Sequence, residues 1–344
     1  MDIEDQFKET GIGTGGAAGH ARFTFIDLLA GIGGFRIGLE RIGGRCVYAL
    51  ERERFARKTY AAWFGAEPEG CDMNHTDLGS FPVHDILTAG FPCPSFSQAG
   101  VSTLRSMGRA HGLKDADRGQ LFFRLTAVLA SCRPPAFIFE NVENLLRHDK
   151  GRTWGTMHSR LCGLGYSVFA DVLDARHFGV PQHRERVFIV GFDNDRFGAE
   201  PAFQFPEPLC QVAPTLRSIL EPHPDPTFTL TDGTWRFLKT HKRKHAAKGN
   251  GFGYSFASLE GITNTLSARY GKDGSEILIH QPGRNPRMLT LRETARLMGF
   301  PDHLPIVVSK RRAYHQFGNA VVPTIIEKVG MQALKTIERQ AHGD

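Results

Sequence analysis

A cysteine, a glutamate and two arginines carry the reactive chemistry in this chain. Cys93 follows a Phe91-Pro92 corner. The proline fixes its own φ and biases Phe91 towards an extended conformation, so the turn is stiff and the thiol is aimed. A nucleophile is one reading; a small apolar core side chain is the other common fate of a lone cysteine. Glu140 closes the apolar run Ala136-Phe137-Ile138-Phe139. Partial desolvation there would let its carboxyl hold a proton more readily than usual. Arg184 and Arg186 stand two apart at the head of Val187-Phe188-Ile189-Val190-Gly191, so they point the same way. Two guanidinium groups on one face suit an anionic or carbonyl-bearing ligand.

These groups need elements to hold them. Asp85-Ile86-Leu87-Thr88-Ala89 reads as a short buried strand that leaves Cys93 just past its C-terminal end. Open α/β sheets collect ligands at that edge. Phe23 to Leu29 is a buried first strand, followed by the glycine turn Ala30-Gly31-Ile32-Gly33-Gly34 and a helix through Phe35, Ile37, Leu39 and Ile42. Such a unit turns backbone N–H groups towards a ligand. Its spacing matches neither Gly-x-Gly-x-x-Gly nor a phosphate-binding loop ending in lysine. A second strand, Cys46 to Leu50, ends at Glu51, which could accept from ribose hydroxyls or pair with Arg52 or Arg54 on the surface. Asp77 takes the analogous place after the next unit and could reach an exocyclic amine.

Between the chemistry lie segments of other character. Gly11 to Gly16 has no strand before it and reads as linker in a flexible tail. Gly100 to Arg118 is long and polar, as a closing loop would be. Helices are expected over 117–130 and 153–164, a strand over 166–170 and a short helix over 289–300, with Gln316 opening a C-terminal helix. Prolines crowd the chain from about Phe192 and signal passage into a second unit. That unit carries the basic run His241-Lys242-Arg243-Lys244-His245, then glycines and aromatics from Lys248 to Tyr254. The mixture fits nucleic-acid contact, and a merely solvated face is the alternative. Thr265 to Tyr270 and Ile277 to Ile279 are expected as strands of the same unit.

At 344 residues the chain outgrows one small core. Its net charge of +6 is compatible with a polyanionic partner. Cysteines at 46, 71, 93, 132, 162 and 210 never form Cys-x-x-Cys, so neither a metal site nor a disulfide framework is expected. The acidic, polar N-terminus has no signal core and no stretch suits a membrane helix, so a reduced cytoplasmic protein is expected.

Taken in order, the segments resemble the cytosine-C5 DNA methyltransferase family. The matching residues are Asp27 to Gly34, Glu51, Asp77, Gly90-Phe91-Pro92-Cys93, Arg118-Gly119, Glu140-Asn141-Val142, Gln182-His183-Arg184-Glu185-Arg186, Arg292-Glu293 through Gly299, and Phe317-Gly318-Asn319. The resemblance implies an α/β, doubly wound (Rossmann-like) S-adenosylmethionine-dependent domain over 22–217 and 291–344, after a tail of 1–21. A smaller, mostly β and loop target-recognition domain would span 218–290. Cys93, Glu140, Arg184 and Arg186 would be catalytic. S-adenosyl-L-methionine would lie against Asp27, Leu29, Ala30, Gly31, Ile32, Gly33, Gly34, Glu51, Arg52, Asp77, Leu78, Pro92, Asn319, Ala320 and Val321. DNA would meet Ser97, Gln182, Lys242, Arg243, Lys244, Asn250, Thr265 and Arg269. The implied partners are double-stranded DNA and a cognate restriction endonuclease, with the enzyme a monomer in a bacterial cytoplasm. The stretches from Lys248 to Tyr254 and from Thr265 to Ile279 are similar to enzymes acting on CC-containing sites such as CCWGG.

The chemistry implied is addition of the Cys93 thiolate to C6 of a flipped-out cytosine, which makes C5 nucleophilic towards a methyl group. Glu140 would neutralise the ring at N3, Arg186 would hold O2, and Arg184 would steady the site and a nearby phosphate. Three departures stand out. Leu29 replaces a usual phenylalanine and Arg52 a frequent aromatic, so the adenine would pack on an aliphatic and a guanidinium face; Ala320 replaces a common serine; the catalytic loop is longer than in short members. The rival expectations are a tRNA cytosine-C5 methyltransferase and a silent DNA-binding regulator.

Overall fold

Phe23 and Phe25 on one face of Phe23-Thr24-Phe25-Ile26-Asp27-Leu28, and Ile26 and Leu28 on the other, let this segment be covered on both faces, and it becomes the interior strand β1 (Phe23–Leu28). The computed structural model describes residues 21–91, 119–209, 212, 214–249, 253–272 and 274–342. Pro92, Cys93, Ser97 and Asn250, the expected closing loop and the tail lie outside the described residues.

With β1, the strands β2 (Gly44–Leu50), β3 (Ile86–Gly90), β4 (Ala136–Val142), β5 (Tyr166–Asp174) and β6 (Glu185–Asp193) make one sheet in the order β2-β1-β3-β4-β6-β5. The first four are parallel, whereas β6 runs antiparallel to both β4 and β5. The inversion matters for function. It brings the start of β6 to the edge where β1 to β4 finish.

Helices cover both faces, as a mostly parallel sheet requires. Phe25, Ile138 and Phe188 pack on one side with residues of α1 (Gly34–Glu40) and of the C-terminal helix. Ile26, Leu28, Phe137 and Phe139 pack on the other with α3 (Gly119–Cys132) and α4 (Arg152–Cys162). The remaining early helix, α2 (Arg54–Phe64), is capped by Glu53 and ended by Gly65. No helix among the described residues is long and apolar enough to cross a membrane.

Residues 218–290 are mostly loop and turn, and their one long described element is the helix α5 (Asp232–Ala246), which contains the basic run. The expected strands at Thr265–Tyr270 and Ile277–Ile279 are extended or turn segments joined by isolated bridges such as Phe256 to Leu278 and Ile279 to Arg287. Leu230, Leu238, Tyr270 and Ile277 belong to the same core cluster as the α1 face of the sheet.

A capping box starts α6 (Leu291–Leu297), with Thr290 and Glu293 exchanging hydrogen bonds. Glu293 is fully buried and accepts two hydrogen bonds, of 2.7 and 2.9 Å, from the Arg287 guanidinium. Gln316 does not open the last helix as expected: it lies within α7 (Lys310–Asn319), and α8 (Pro323–His342) starts at the proline. Proline suits a first turn because its missing N–H is an orphan there anyway.

Candidate active site at the strand tips

The register decides which side chains meet. Gly90 is paired with Glu140 across β3 and β4, and Glu140 with Phe188 across β4 and β6. Residues opposite one another in an antiparallel ladder share a face, and so do residues two apart in a strand. Arg186 is therefore the diagonal neighbour of Glu140, and its Nε lies 3.1 Å from Glu140 Oε1. A side chain added at Gly90 would lie 3.5 Å from Glu140 Oε2. The Glu140 carboxyl thus lies over the end of β3, three residues before Cys93.

Glu140 is 8% exposed. Burial pushes its carboxyl above the ordinary carboxylate range, against the pull of the Arg186 and then the Arg184 guanidinium. A carboxyl so placed can hold a proton while a cation stands at its other edge. Asn141 takes part in the same construction: its Nδ2 donates to Phe91 O at 3.3 Å and its Oδ1 accepts from Val142 N at 2.8 Å. It ties the exit of β4 to the exit of β3. Its place beside Glu140 is the only sequence signal for this.

Arg184 and Arg186 divide their work. Arg184 is 2% exposed and donates to the carbonyls of Leu266 at 3.1 Å, Gly318 at 3.2 Å and Ala320 at 2.8 Å. It braces backbone through these three carbonyls. Gly318 is tight because a Cβ there would lie 2.5 Å from the Ser267 and Ala268 backbone. Gln182, expected at DNA, is fully buried, donating to Leu297 O at 3.1 Å and accepting from Leu266 N at 2.8 Å.

Beside this pair lies a recess of about 300 Å³ lined by Val142, Glu143, Arg147, His183, Arg186 and Thr265, among others. Thr265 Oγ1 donates to His183 O at 2.6 Å. Asp174, His183 and Glu185 form a group whose ligand-type atoms lie within 4.8 Å of one another. Asp174 is already ion-paired with Arg176 and accepts from His183 Nδ1 at 2.6 Å and Arg184 N at 3.1 Å. The group anchors the head of β6.

The glycine turn lies at the neighbouring tips. Ala30 N donates to Leu50 O at 2.8 Å. Glu51 accepts from Gly31 N at 2.8 Å and from Glu53 N at 2.6 Å, and burial raises its carboxyl above the usual range. Leu29 and Gly31 have positive φ, and a Cβ at Gly31 would meet nothing within 4 Å, so the turn faces open space. Gly34 approaches Val321 so closely that a Cβ would lie 2.7 Å from it, which brings the Asn319-Ala320-Val321 segment to the turn. Ile32 is buried, and Gly33 caps the helix N-terminus in a left-handed conformation. Beneath lies Asp27, fully buried, with Thr88 Oγ1 donating to its Oδ1 at 3.2 Å. Burial raises this carboxyl to about 8, opposed by the Thr88 hydrogen bond and reinforced by Glu51. Its Oδ2 has no hydrogen-bond partner among the described residues. An unsatisfied buried carboxyl oxygen, an open glycine turn and a second carboxylate fit a cationic, ribose-bearing ligand.

Other expected contacts sit further out. Arg52 and Asp77 are exposed, Asp77 accepting from Gly79 N at 3.2 Å, and half-buried Leu78 packs under the α3 face. Exposed Asn319 is 3.4 Å from the His315 ring. Arg243, Lys244 and Arg269 are exposed. Lys242 is exposed at its surface but donates to Tyr254 O at 3.0 Å.

Burial pushes the Cys46 thiol up to about 12 and raises Cys132 and Cys162.

Residues 23–335 match the model of the family described as C-5 cytosine-specific DNA methylase. The type II methyltransferase M.NlaX of Neisseria lactamica is 46% identical over 313 residues, covering 90% of this chain and 96% of the relative. A DNA-cytosine methyltransferase of Escherichia coli K12 is 38% identical over 367 aligned positions, covering 90% of this chain and 77% of the relative. The crystal structure of the S. pombe Dnmt2 methyltransferase superposes with a TM-score of 0.67 at 17% identity, covering 94% of this chain and 99% of that one. That likeness is one of fold.

Proposed function

Because the chain belongs to the C-5 cytosine-specific DNA methylase family, we propose that it methylates C5 of a cytosine flipped out of duplex DNA, with Cys93 as the nucleophile. The observation that carries the residue assignment is the Glu140–Arg186 pair, 3.1 Å apart, at the exit of the strand that leads into Phe91-Pro92-Cys93. The Cys93 thiolate adds to C6 of the ring, the C5–C6 π electrons move towards C5, and Glu140 gives N3 its proton as charge builds on the ring. Arg186 holds O2 and keeps the carboxyl oriented. S-adenosyl-L-methionine, when bound, supplies an electrophilic methyl group on a sulfonium. Asp27, Glu51 and the turn from Leu29 to Gly34 would hold it, with Val321 closing one side. After C5 carries the methyl, loss of its proton to water, expulsion of Cys93 as the thiolate and return of the N3 proton to Glu140 restore the ring.

Arg184 and Gln182 act here by holding backbone, and Thr265 borders the recess where the flipped nucleotide would enter. The split domain arrangement, a CC-containing target, a monomeric enzyme and a cognate endonuclease belong to the same reading. The type II names of relatives support the last of these. The test is bisulfite sequencing of a sequence-diverse plasmid after incubation with the protein and S-adenosylmethionine. Protected cytosines at one short motif are expected. A fully converted plasmid would overturn the DNA reading, and methylation of tRNA in its place would establish the RNA alternative.

A further inference from the structure

The basic run is not uniform once it is wound into α5. Leu238 is the helix's buried anchor, 3% exposed. Lys242 lies four residues on, above the same face. Its ammonium donates to Tyr254 O at 3.0 Å and sits 4.3 Å from the centre of the Tyr254 ring. Its stem is packed too, since a Cβ at Gly253 would lie 2.7 Å from Lys242 Cγ. This lysine fastens the glycine-rich segment, and with it Tyr254, which touches Trp235 and Phe256.

Arg236, Lys239 and Arg243 recur at i, i+3 and i+7, a single stripe turned away from Leu238. All three are exposed, as is Lys244 beside them. The helix holds five Lys or Arg and one acid, Asp232, which sits at its opposite end and accepts from Asn285 Nδ2 at 2.7 Å. A solvated helix face normally mixes both signs. From Arg236 to Arg243 the stripe spans about 10 Å at ~1.5 Å per residue, roughly three base-pair steps measured along the duplex axis.

We infer that the stripe Arg236, Lys239 and Arg243, with Lys244 at its flank, is a docking surface for the phosphate backbone of duplex DNA, and that Lys242 is a positioning residue outside it. The inference rests on the DNA methyltransferase reading and adds which cations of the second unit meet the partner. It moves the interface towards the start of α5, to two residues outside the 241–245 run.

The test is the salt dependence of binding to a short duplex, measured by fluorescence anisotropy on the full chain. Every phosphate that the protein ceases to neutralise should flatten the log–log slope by about 0.9. Arg236→Gln with Arg243→Gln should therefore lower the slope by about 1.8 while leaving the melting temperature unchanged. Lys242→Met should leave the slope as in the wild type and alter Tyr254 and Trp235 fluorescence. An unchanged slope in the double variant, or a slope in Lys242→Met that falls as far as in a stripe variant, would overturn the assignment while leaving methylation intact. A wild-type protein that binds no duplex would overturn the methyltransferase reading and this surface together.

Discussion

The strand tips and the outer face of α5 both use arginines, but under opposite electrostatic regimes. At the tips, Glu140 and Arg184 are almost wholly buried and Arg186 is half-buried, so each charge is defined by a named partner. On α5 the stripe cations are exposed, with no acid among them. Desolvation makes the first region unforgiving, because removing a partner leaves a buried group unsatisfied. Screening makes the second tolerant, each charge adding a modest, salt-dependent increment. Under the proposed function, one region does chemistry on a single base and the other holds a polymer at many points.

The strongest way to break this contrast is at the tips. Cys93→Ala should abolish methylation while retaining duplex binding; a variant that methylates normally would end the covalent mechanism. Glu140→Gln keeps the shape of the site but removes the acid, and turnover should fall by roughly 10²–10⁴ with little change in DNA affinity. The pH profile sharpens the point. Burial holds the Glu140 carboxyl above its ordinary range, so the protonated form persists to higher pH and activity should decline as pH rises through its raised pKa. That decline should vanish in the glutamine variant. An unchanged rate would remove Glu140 from the acid role.

Most of the tip region is legible in the sequence because its chemical residues directly follow apolar runs. Glu140 after Phe139 and Glu51 after Leu50 advertise themselves by position alone. Whatever depends on distant partners is not legible there. Gln182 looks like a polar residue beside two functional arginines, yet its partners lie 115 and 84 residues away, and they bury it. Arg184 is legible in place but not in use, since its three carbonyls come from 82, 134 and 136 residues off. The helix α5 is hidden for a different reason. Its apolar stripe is thin, with Leu238 the one buried side chain, and Lys242 lays its stem where a hydrophobic residue would have revealed the period.

A second buried pair tests whether the unforgiving regime is general. Glu293 and Arg287 are 0% and 4% exposed and bonded at two points, whereas Arg217 and Glu260 form an exposed pair. Arg287→Met should cost about 3–5 kcal/mol, because it leaves the Glu293 carboxylate buried without its counter-ion. Arg217→Met should cost about 1 kcal/mol or less. Urea denaturation of both variants decides it; equal costs would mean that burial does not separate the two regimes.

The last comparison lies under the glycine turn, and its effect is one of pH. Asp27 titrates near 8 in the folded chain against an ordinary value of 3.8, chiefly through burial. Between these values the unfolded chain has released the proton and the folded chain still holds it, so folding must keep a proton that solution would take. Stability from this group is therefore fully present below about 4, declines as pH rises towards about 8, and is level above that. Asp27→Asn keeps the Thr88 hydrogen bond and has nothing to titrate. The difference in melting temperature between wild type and variant should shift in the variant's favour from pH 5 to pH 8. A difference that stays constant across that range would mean that Asp27 is ionised in the fold. The turn would then be underlain by a fixed negative charge.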